Sequence, residues 1–239
     1  MSDSEVDAKQ LKLQILAQPN DVTCGPTCLH SVYSYFNDDI GLGQVIEEVK
    51  QFATGGTLAV MLGNHALSRG YRATIYTYNV HMFDPTWFSS KVDLRQKLIE
   101  QRELKSDERI QSYTQSYLQF LEQGGKIKFE ELSSALIRRF LNKNIPVLTG
   151  LSATYLYHSA REIPETNAYD DLRGEPSGHF VVLYAYDKTK REITIADPLD
   201  PNPISDRVQY YTVNTQRLIN AIMLGIVTYD ANLLIIEPQ

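Results

Sequence analysis

The chain has 239 residues, of which 43% are hydrophobic and 22% are charged, a balance typical of one globular unit with a buried core. Its net charge is −6 at pH 7 and no basic block stands out, which argues against a nucleic-acid or anionic-membrane partner and favours a peptide or small molecule. Residues 1–10 lack the apolar core of a signal peptide, and no run of about eighteen apolar residues occurs, so neither export nor a membrane span is expected.

The order of the predicted elements, helices first and strands later, indicates an α+β fold. Apolar residues at steps of three and four predict helices over 25–36, 42–52, a stretch that ends at Ser68 after a turn at 54–57, 94–104, 107–121 and 130–141. Runs rich in β-branched and aromatic residues predict strands over 11–16, 71–78, 145–151, 179–186, 191–196, 207–213 and 225–236. The polar segment 158–177 is predicted to be a long loop that borders the site, because it runs directly into His179.

Cys24 lies at the start of the first predicted helix and is a candidate nucleophile. A cysteine in this position meets unpaired N–H groups and the positive end of the helix dipole, which favour thiolate over thiol. Thiolate is the form that attacks a carbonyl carbon. Gly25 allows another backbone or a substrate to approach closely, and Pro26 is tolerated in a first helical turn.

His179 and Asp197 are predicted to meet at one end of a β-hairpin. His179 starts the first strand and Asp197 ends the second, so antiparallel pairing places both at the same end. An aspartate beside a histidine fixes its tautomer and stabilises the imidazolium, which makes His179 the candidate base and Asp197 its orienting partner. The Gln18 side-chain amide and the Cys24 backbone N–H are the candidate oxyanion donors.

The chain order Gln18, Cys24, His179 and Asp197 resembles that of the papain-like cysteine peptidases. The block from Gln18 to Cys28 is similar to the start of the bacteriocin leader-processing peptidases and their stand-alone bacterial relatives. Further stretches look like those of a bacterial branch of such peptidase-like proteins: 83–88, 150–157 and 228–234.

This resemblance spans nearly the whole chain and implies a papain-like cysteine peptidase fold. In that fold, an N-terminal helical part with the catalytic cysteine helix packs on a C-terminal antiparallel β-sheet. It implies that Cys24 is the nucleophile, His179 the general base, Asp197 the orienting group and Gln18 the oxyanion-hole residue. No cofactor and no metal are expected.

The chain also departs from the pattern of these relatives. Residues 1–239 are predicted to form a single peptidase domain, with a helical insertion at about 80–145 that a minimal leader-peptidase domain does not need. No transporter segment follows, so specificity for double-glycine leader peptides is not carried over. Cys24 and Cys28 lie too close along one helix for a disulfide framework, and a reducing bacterial cytoplasm is the expected location.

Some residues have a structural alternative to a functional role. Cys28 lies one helical turn beyond Cys24 and is predicted to be a small core residue, with a redox partner as the alternative. Asp197 before Pro198 is also typical of a turn, and Gln18 of a loop cap. The candidate substrate contacts are Tyr155, Tyr157, Arg161 and Gly178; an arginine can bind a substrate carboxylate with two hydrogen bonds, or pair with a nearby glutamate on the surface.

The predicted reaction is attack of a Cys24 thiolate on a peptide or amide carbonyl. The sequence leaves open whether water or an amine then releases the acyl group. Phytochelatin-synthase-like γ-glutamyl transpeptidases resemble this layout too, and they use an amine of a second peptide. A catalytically inactive peptide-binding module of the same fold is the alternative outside enzymes. The substrate and the oligomeric state are left open.

Overall fold

The structure is a computed structural model that describes residues 7–52, 56–89, 91–205 and 209–239. Its helices are α1 (Cys24–Tyr35), α2 (Leu42–Glu48), α3 (Ala59–Ser68), α4 (Leu94–Leu104), α5 (Glu108–Glu122), α6 (Ser134–Asn142), α7 (Ala153–Tyr157) and α8 (Thr215–Leu224). Its strands are β1 (Ala8–Gln10), β2 (Arg72–Thr77), β3 (Lys126–Lys128), β4 (Val147–Ser152), β5 (Glu162–Ile163), β6 (Ala168–Tyr169), β7 (Gly178–Asp187), β8 (Glu192–Ala196), β9 (Tyr210–Asn214) and β10 (Asn232–Glu237).

Within the described ranges, seven strands of an eight-stranded sheet run in the order β3-β2-β10-β4-β7-β8-β9, and the eighth, β1, pairs with the C-terminal end of β7. Its pairs are antiparallel except β2 with β3, which run parallel. Strands β4, β7 and β10 are buried along nearly their whole length, as expected of central strands covered on both faces. The short hairpin β5–β6 lies outside this sheet.

Helix α1 packs against the central strand β7, and Cys24 is its first residue. Leu29 and Val32 are buried on its inner face. The Cys28 thiol donates to the carbonyl oxygen of Phe180 at 3.2 Å, which ties the first turn of α1 to β7. This contact fixes the height of Cys24 relative to the start of β7, where His179 lies.

The segment at 80–145 supplies both helices and a strand to the structure. Helices α4 and α5 pack together, and α5 packs on α3. Phe120 of α5 is fully buried, and a Cβ added at Gly63 or Gly125 would lie 2.6 or 2.5 Å from its ring. Strand β3 extends the main sheet beside β2. The segment therefore takes part in the same core as the rest of the described chain.

The structure confirms most predicted helices and corrects three of the predicted segments. Residues 11–16 alternate between buried and exposed, but they belong to no strand of the described structure. The Leu11 N–H donates to the Tyr184 carbonyl of β7, whereas the Ile15 N–H donates to the Tyr210 hydroxyl and not to a backbone carbonyl. Alternation reports which side is buried and does not by itself supply a neighbouring strand. Of the predicted turn at 54–57 and the predicted strand at 207–213, residues 54–55 and 207–208 lie outside the described residues.

The strand predicted over 225–236 is wrong in its first part, which is a 3₁₀ helix, Gly225–Thr228, followed by a turn. Before it lies α8, which the sequence patterns did not predict, although Asn214 caps it by accepting from the Gln216 N–H at 2.9 Å. The loop predicted over 158–177 also contains β5 and β6. None of the described helices is both long enough and apolar enough to cross a membrane.

We expect Gly150→Ala to destabilise the fold, because the new Cβ would lie 2.5 Å from the carbonyl oxygen of Asp230 on the neighbouring segment. Backbone atoms there cannot move away cheaply, so the expected loss is about 1–3 kcal/mol, or a melting temperature lower by about 2–10 °C. Thermal and urea unfolding measure the loss. Gly43→Ala in α2 is the control, since a Cβ there meets nothing within 4 Å; equal stability of the two variants would contradict the prediction.

Candidate active site

Asn20 organises the loop that presents Cys24. Its carbonyl oxygen accepts from the Thr23 hydroxyl at 2.9 Å and from the Gln18 side-chain amide at 3.0 Å. Its own side-chain oxygen accepts from the Val22 N–H at 3.1 Å. The sequence analysis gave Asn20 no role, although the signal was present, since asparagine after proline is typical of such a turn.

Cys24 is the first residue of α1 and is half-buried. Its side chain lies near enough to the His179 imidazole to raise the pKa of His179. His179 is the second residue of β7 and is only 6% exposed. The nitrogen Nε2 of His179 lies 2.8 Å from Asp197 Oδ1, which leaves Nδ1 for the Cys24 thiol. The structure thus brings Cys24, His179 and Asp197 together in a line.

The hairpin of β7 and β8 joins His179 to Asp197 as the sequence pattern predicts. The register places Val182 opposite Ala196, so Asp197, just beyond β8, lies near the start of β7. The Asp197 N–H donates to the Gln209 carbonyl at 2.8 Å, and the Gln209 side chain donates to the Asp197 carbonyl at 3.1 Å. These backbone contacts hold the carboxylate in place from the side of β9.

Asp197 is fully buried and both of its oxygens are satisfied by described residues. Oδ1 accepts from His179 Nε2 at 2.8 Å and from the Leu199 N–H at 2.9 Å. Oδ2 accepts from the hydroxyls of Tyr157 at 2.8 Å and Tyr211 at 2.6 Å. A buried charge is tolerated only when it is paired and hydrogen-bonded, and Asp197 meets both conditions.

The pair is held in its charged form. Burial alone would lower the pKa of His179, but the charge of Asp197, the hydrogen bond that His179 donates to Asp197, and the interaction with Cys24 raise it to about 10. Burial alone would raise the pKa of Asp197, but the His179 charge and the hydrogen bonds from His179, Tyr211 and Leu199 hold it below its ordinary value. An imidazolium at neutral pH is the partner that a reactive thiolate requires.

Gln18 lies next to this line of residues. Its backbone N–H donates to the Pro198 carbonyl at 2.8 Å, one residue beyond Asp197. Its side-chain nitrogen binds Asn20, and its side-chain oxygen is buried without a hydrogen-bond partner among the described residues. Gln18 and His179 line the same cavity of about 330 Å³. The second N–H of the amide is therefore left for a group that enters this cavity.

The four predicted substrate contacts lie in different surroundings. Tyr157 binds Asp197, and Tyr155 accepts from the Asn220 side chain of α8 at 3.1 Å. The Arg161 guanidinium donates to the carbonyls of residues 171 and 172 in its own loop. Gly178 lines the cavity, pairs with Ser152 of β4, and a Cβ there would lie 2.5 Å from Asp230 Oδ2. Gly178 and Tyr157 line the cavity beside His179.

Asp230 is a buried carboxyl group that the sequence analysis gave no role. It is 8% exposed, and its Oδ1 has no hydrogen-bond partner within the described ranges. Burial raises its pKa to about 8, against a hydrogen bond with Thr228 and the charge of His179, which lower it. The Thr228 hydroxyl also donates to the Gly225 carbonyl at 3.1 Å. A pKa near 8 favours the protonated form of the Asp230 carboxyl at pH 7.

Both cysteines are free thiols, and they differ in their surroundings. Cys28 is fully buried and bound to the Phe180 carbonyl, and burial raises the pKa of its thiol well above the ordinary value. It is a core residue with little thiolate character. In the part of the chain that the structure describes, no group of three or more His, Cys, Asp or Glu side chains is arranged to hold a metal ion.

A helix that opens on a cysteine packs against a strand whose first residues include a buried histidine paired with an aspartate, an arrangement similar to that of papain-like cysteine peptidases. The model of the Peptidase_C39 like family matches residues 104–219, just under half of the chain, a range that contains His179 and Asp197. The predicted resemblance to this family is confirmed over that range. The family match and the fold together support a cysteine peptidase.

One solved structure with a TM-score above 0.5 has the same fold, and two others are similar. A protein of Bacillus anthracis assigned as a C39-like peptidase is 13% identical, with 98% of this chain and 99% of that chain covered and a TM-score of 0.54. A double glycine motif protease from an AMS/PCAT transporter, solved with its leader peptide, is 14% identical over 97% of this chain and 95% of that chain, with a TM-score of 0.47. Xylellain, a cysteine protease from Xylella fastidiosa, is 12% identical over 99% and 87%, also at 0.47. The search of curated proteins gives no match.

We expect Asp230→Asn to stabilise the protein in a pH-dependent way. An unfolded aspartate loses its proton near pH 3.9, whereas folded Asp230 keeps it to about pH 8. Between these values the folded state binds more protons, so the stability of the wild-type protein falls as the pH rises. The variant lacks this loss, and its advantage should grow from pH 4 to pH 7 by up to about 1.4 kcal/mol per pH unit.

Urea unfolding at pH 4, 5.5 and 7 measures this advantage. Asp171→Asn is the control, because Asp171 is exposed and its substitution removes the same charge. An advantage of Asp230→Asn that is constant over this range, or that the control shares, would contradict a protonated buried carboxyl.

Proposed function

We propose that this protein cleaves a peptide or amide bond with Cys24 as nucleophile, His179 as general base and then acid, Asp197 as the orienting group and Gln18 as an oxyanion donor. The observation that carries the proposal is the contact of one histidine with two partners. His179 lies 2.8 Å from the fully buried carboxylate of Asp197, and the half-buried Cys24 thiol at the start of α1 is near enough to raise the pKa of His179. A nucleophile, a base and an orienting group in this order are the constellation that acyl transfer requires.

The reaction begins with a thiolate at Cys24 and an imidazolium at His179. The sulfur attacks the carbonyl carbon of the substrate, and the carbonyl π electrons move to the oxygen. The free N–H of Gln18 and the backbone N–H of Cys24 donate to this oxyanion, a stabilisation worth about 10²–10³ in rate per donor. Collapse of the tetrahedral intermediate breaks the C–N bond, and His179 gives its proton to the leaving amine.

Water then enters and His179 removes its proton as the oxygen attacks the thioester carbon. A second tetrahedral intermediate collapses, the C–S bond breaks, and the acid is released with the thiolate restored. Asp197 keeps the imidazole in one orientation through both stages, because Leu199, Tyr157 and Tyr211 fix its carboxylate. No step needs a cofactor.

Transfer to an amine uses the same acyl-enzyme. In a transpeptidase, an amine takes the place of water and a new amide forms. Hydrolysis and transpeptidation share the acylation of Cys24. They differ only in whether water or an amine then attacks the thioester. The leader peptide bound by the double glycine motif protease belongs to that protein; this chain's own substrate is proposed only as a peptide or small amide.

We expect Cys24 to react with iodoacetamide much faster than an ordinary thiol below about pH 8.5, since the reactive thiolate is held by the His179 imidazolium. Mass spectrometry of the peptide that contains Cys24, over pH 4–9, gives the rate. His179→Ala should lower the rate at pH 6 by about tenfold or more and restore an ordinary thiol titration. Cys28, labelled only after unfolding, is the internal control.

Slow labelling of folded Cys24 that follows an ordinary thiol titration, at the same rate in His179→Ala, would contradict the proposed peptidase activity. A peptide-binding module of the same fold would then be the better account, and it would be sought by affinity capture of peptides.

We also expect cleavage of members of a mixed peptide library at pH 7, read by mass spectrometry, and its loss in Cys24→Ser, a poorer nucleophile of nearly equal size. Adding glycylglycine as an amine acceptor distinguishes hydrolysis of the acyl-enzyme from transfer of the acyl group to an amine. A peptidase leaves the product pattern unchanged, whereas a transpeptidase adds the acceptor to the new carboxyl end. Cleavage that persists in Cys24→Ser would exclude Cys24 as the nucleophile.

A further inference from the structure

The hairpin β5–β6 forms one wall of the cavity beside His179. Glu162, Asn167 and Tyr169 of this hairpin line the cavity together with Gln18 and His179. The Asn167 side chain donates to Asp21 Oδ2 at 2.7 Å, which joins the hairpin to the loop before Cys24. The wall is thus anchored to the loop that presents the nucleophile.

Glu162 is held in place from two sides by the backbone. Its N–H donates to the Glu175 carbonyl at 3.0 Å, and the Glu175 N–H donates back to the Glu162 carbonyl at 2.8 Å. On its other side it pairs with Tyr169. The side-chain oxygen Oε1 accepts from the Ser177 hydroxyl at 3.2 Å, two residues before His179. The half-buried carboxylate is therefore pre-oriented in the cavity.

Glu162 has no ion pair among the described residues, unlike many carboxylates of this chain. Paired acids in the same structure include Asp38 with Arg69, Glu130 with Arg139 and Asp170 with Arg173. The arginines that flank the hairpin along the chain are bound elsewhere, Arg173 by Asp170 and Arg161 by loop carbonyls. The residues that line the cavity include no lysine or arginine.

The neighbours of Glu162 add features that suit a cation with an apolar stem. The second carboxylate of the cavity, Asp21, has a neutral partner in Asn167. Tyr169 lies directly opposite Glu162 in the β5–β6 pair, so its partly exposed ring is on the same face as that carboxylate. An aromatic ring beside a carboxylate can contact the methylene stem of a lysine or arginine while the head is paired.

We propose that Glu162 is a specificity-determining residue that binds a lysine or arginine side chain of the peptide substrate in the cavity beside His179. This inference rests on the proposed function. Two carboxylates with only neutral partners gain a charge-assisted hydrogen bond when a cation enters, and Glu162 is already fixed in position, so little side-chain freedom is lost on binding. An anionic group in the same place would be repelled.

Alkylation of Cys24 tests this without a known substrate. The reagents are N-(2-aminoethyl)-, N-(2-hydroxyethyl)- and N-(2-sulfoethyl)iodoacetamide, which carry a cationic, a neutral and an anionic group on the same arm. Each rate is divided by the rate of the same reagent with glutathione. We expect the order cationic, neutral, anionic, with the cationic reagent favoured over the neutral one by about five- to tenfold, less at 1 M salt.

Glu162→Gln should reduce this preference to about twofold or less. Glu175→Gln is the matched control, because Glu175 faces Glu162 across the same backbone bridge, is exposed, does not line the cavity and loses the same charge. It should keep the wild-type preference. Arginine and lysine should also be enriched over glutamine at one fixed position near the bonds cleaved in the peptide library.

The outcomes separate the two proposals. Slow labelling by all three reagents, unaffected by His179→Ala, would contradict the proposed function. Fast labelling by all three without a charge preference, or with one that Glu162→Gln and Glu175→Gln change equally, would overturn the role of Glu162 and leave the peptidase intact.

Discussion

The buried contact between His179 and Asp197 is the interaction on which the arrangement of the site depends. A carboxylate with no solvent exposure is costly unless every lone pair has a partner, and breaking such a pair costs about 3–5 kcal/mol. The partners come from four separate segments: β7 supplies His179, the end of α7 supplies Tyr157, β9 supplies Tyr211, and the turn after β8 supplies the Leu199 N–H. The site is complete only when these segments are in place.

Cys24 is placed by a separate set of contacts that meets the first set at Phe180, next to His179. Asn20 shapes the loop before α1, and the Cys28 thiol joins α1 to the Phe180 carbonyl, next to His179. Cys28 thus sets the distance between Cys24 and His179. A short side chain with a weak donor suits this close contact between helix and strand. Cys28 therefore contributes to the site by positioning α1 against β7.

Local sequence patterns predicted the elements whose formation depends on residues close together in the chain. The start of α1, the bounds of α4 and the hairpin of β7 and β8 follow from apolar spacing and turn residues, and with them the meeting of His179 and Asp197. Whether Leu11 to Leu16 joins a sheet depends on a neighbour far away in the chain, and no local pattern contains that neighbour. The prediction failed there for this reason.

Long-range burial is also why Asp230 escaped notice. In the sequence it follows a tyrosine in a stretch with strand-like composition, and nothing nearby marks it as buried. Its surroundings arise only when β10 lies beside β4 and the glycines at 150 and 178 let the segment approach. The tyrosines at 157 and 211 are similar, since their hydroxyls find Asp197 only after the sheet forms.

Two buried carboxyl groups near the same histidine illustrate how surroundings decide charge. Asp197 accepts four hydrogen bonds and its pKa stays below the ordinary value, whereas burial raises the pKa of Asp230 to about 8, which favours its protonated form at pH 7. This difference suits the proposed chemistry. One buried negative charge raises the pKa of His179 and so favours the imidazolium that the proposed reaction needs. A second one would hold the proton still more tightly, and His179 must release that proton to the leaving amine in the step that breaks the bond.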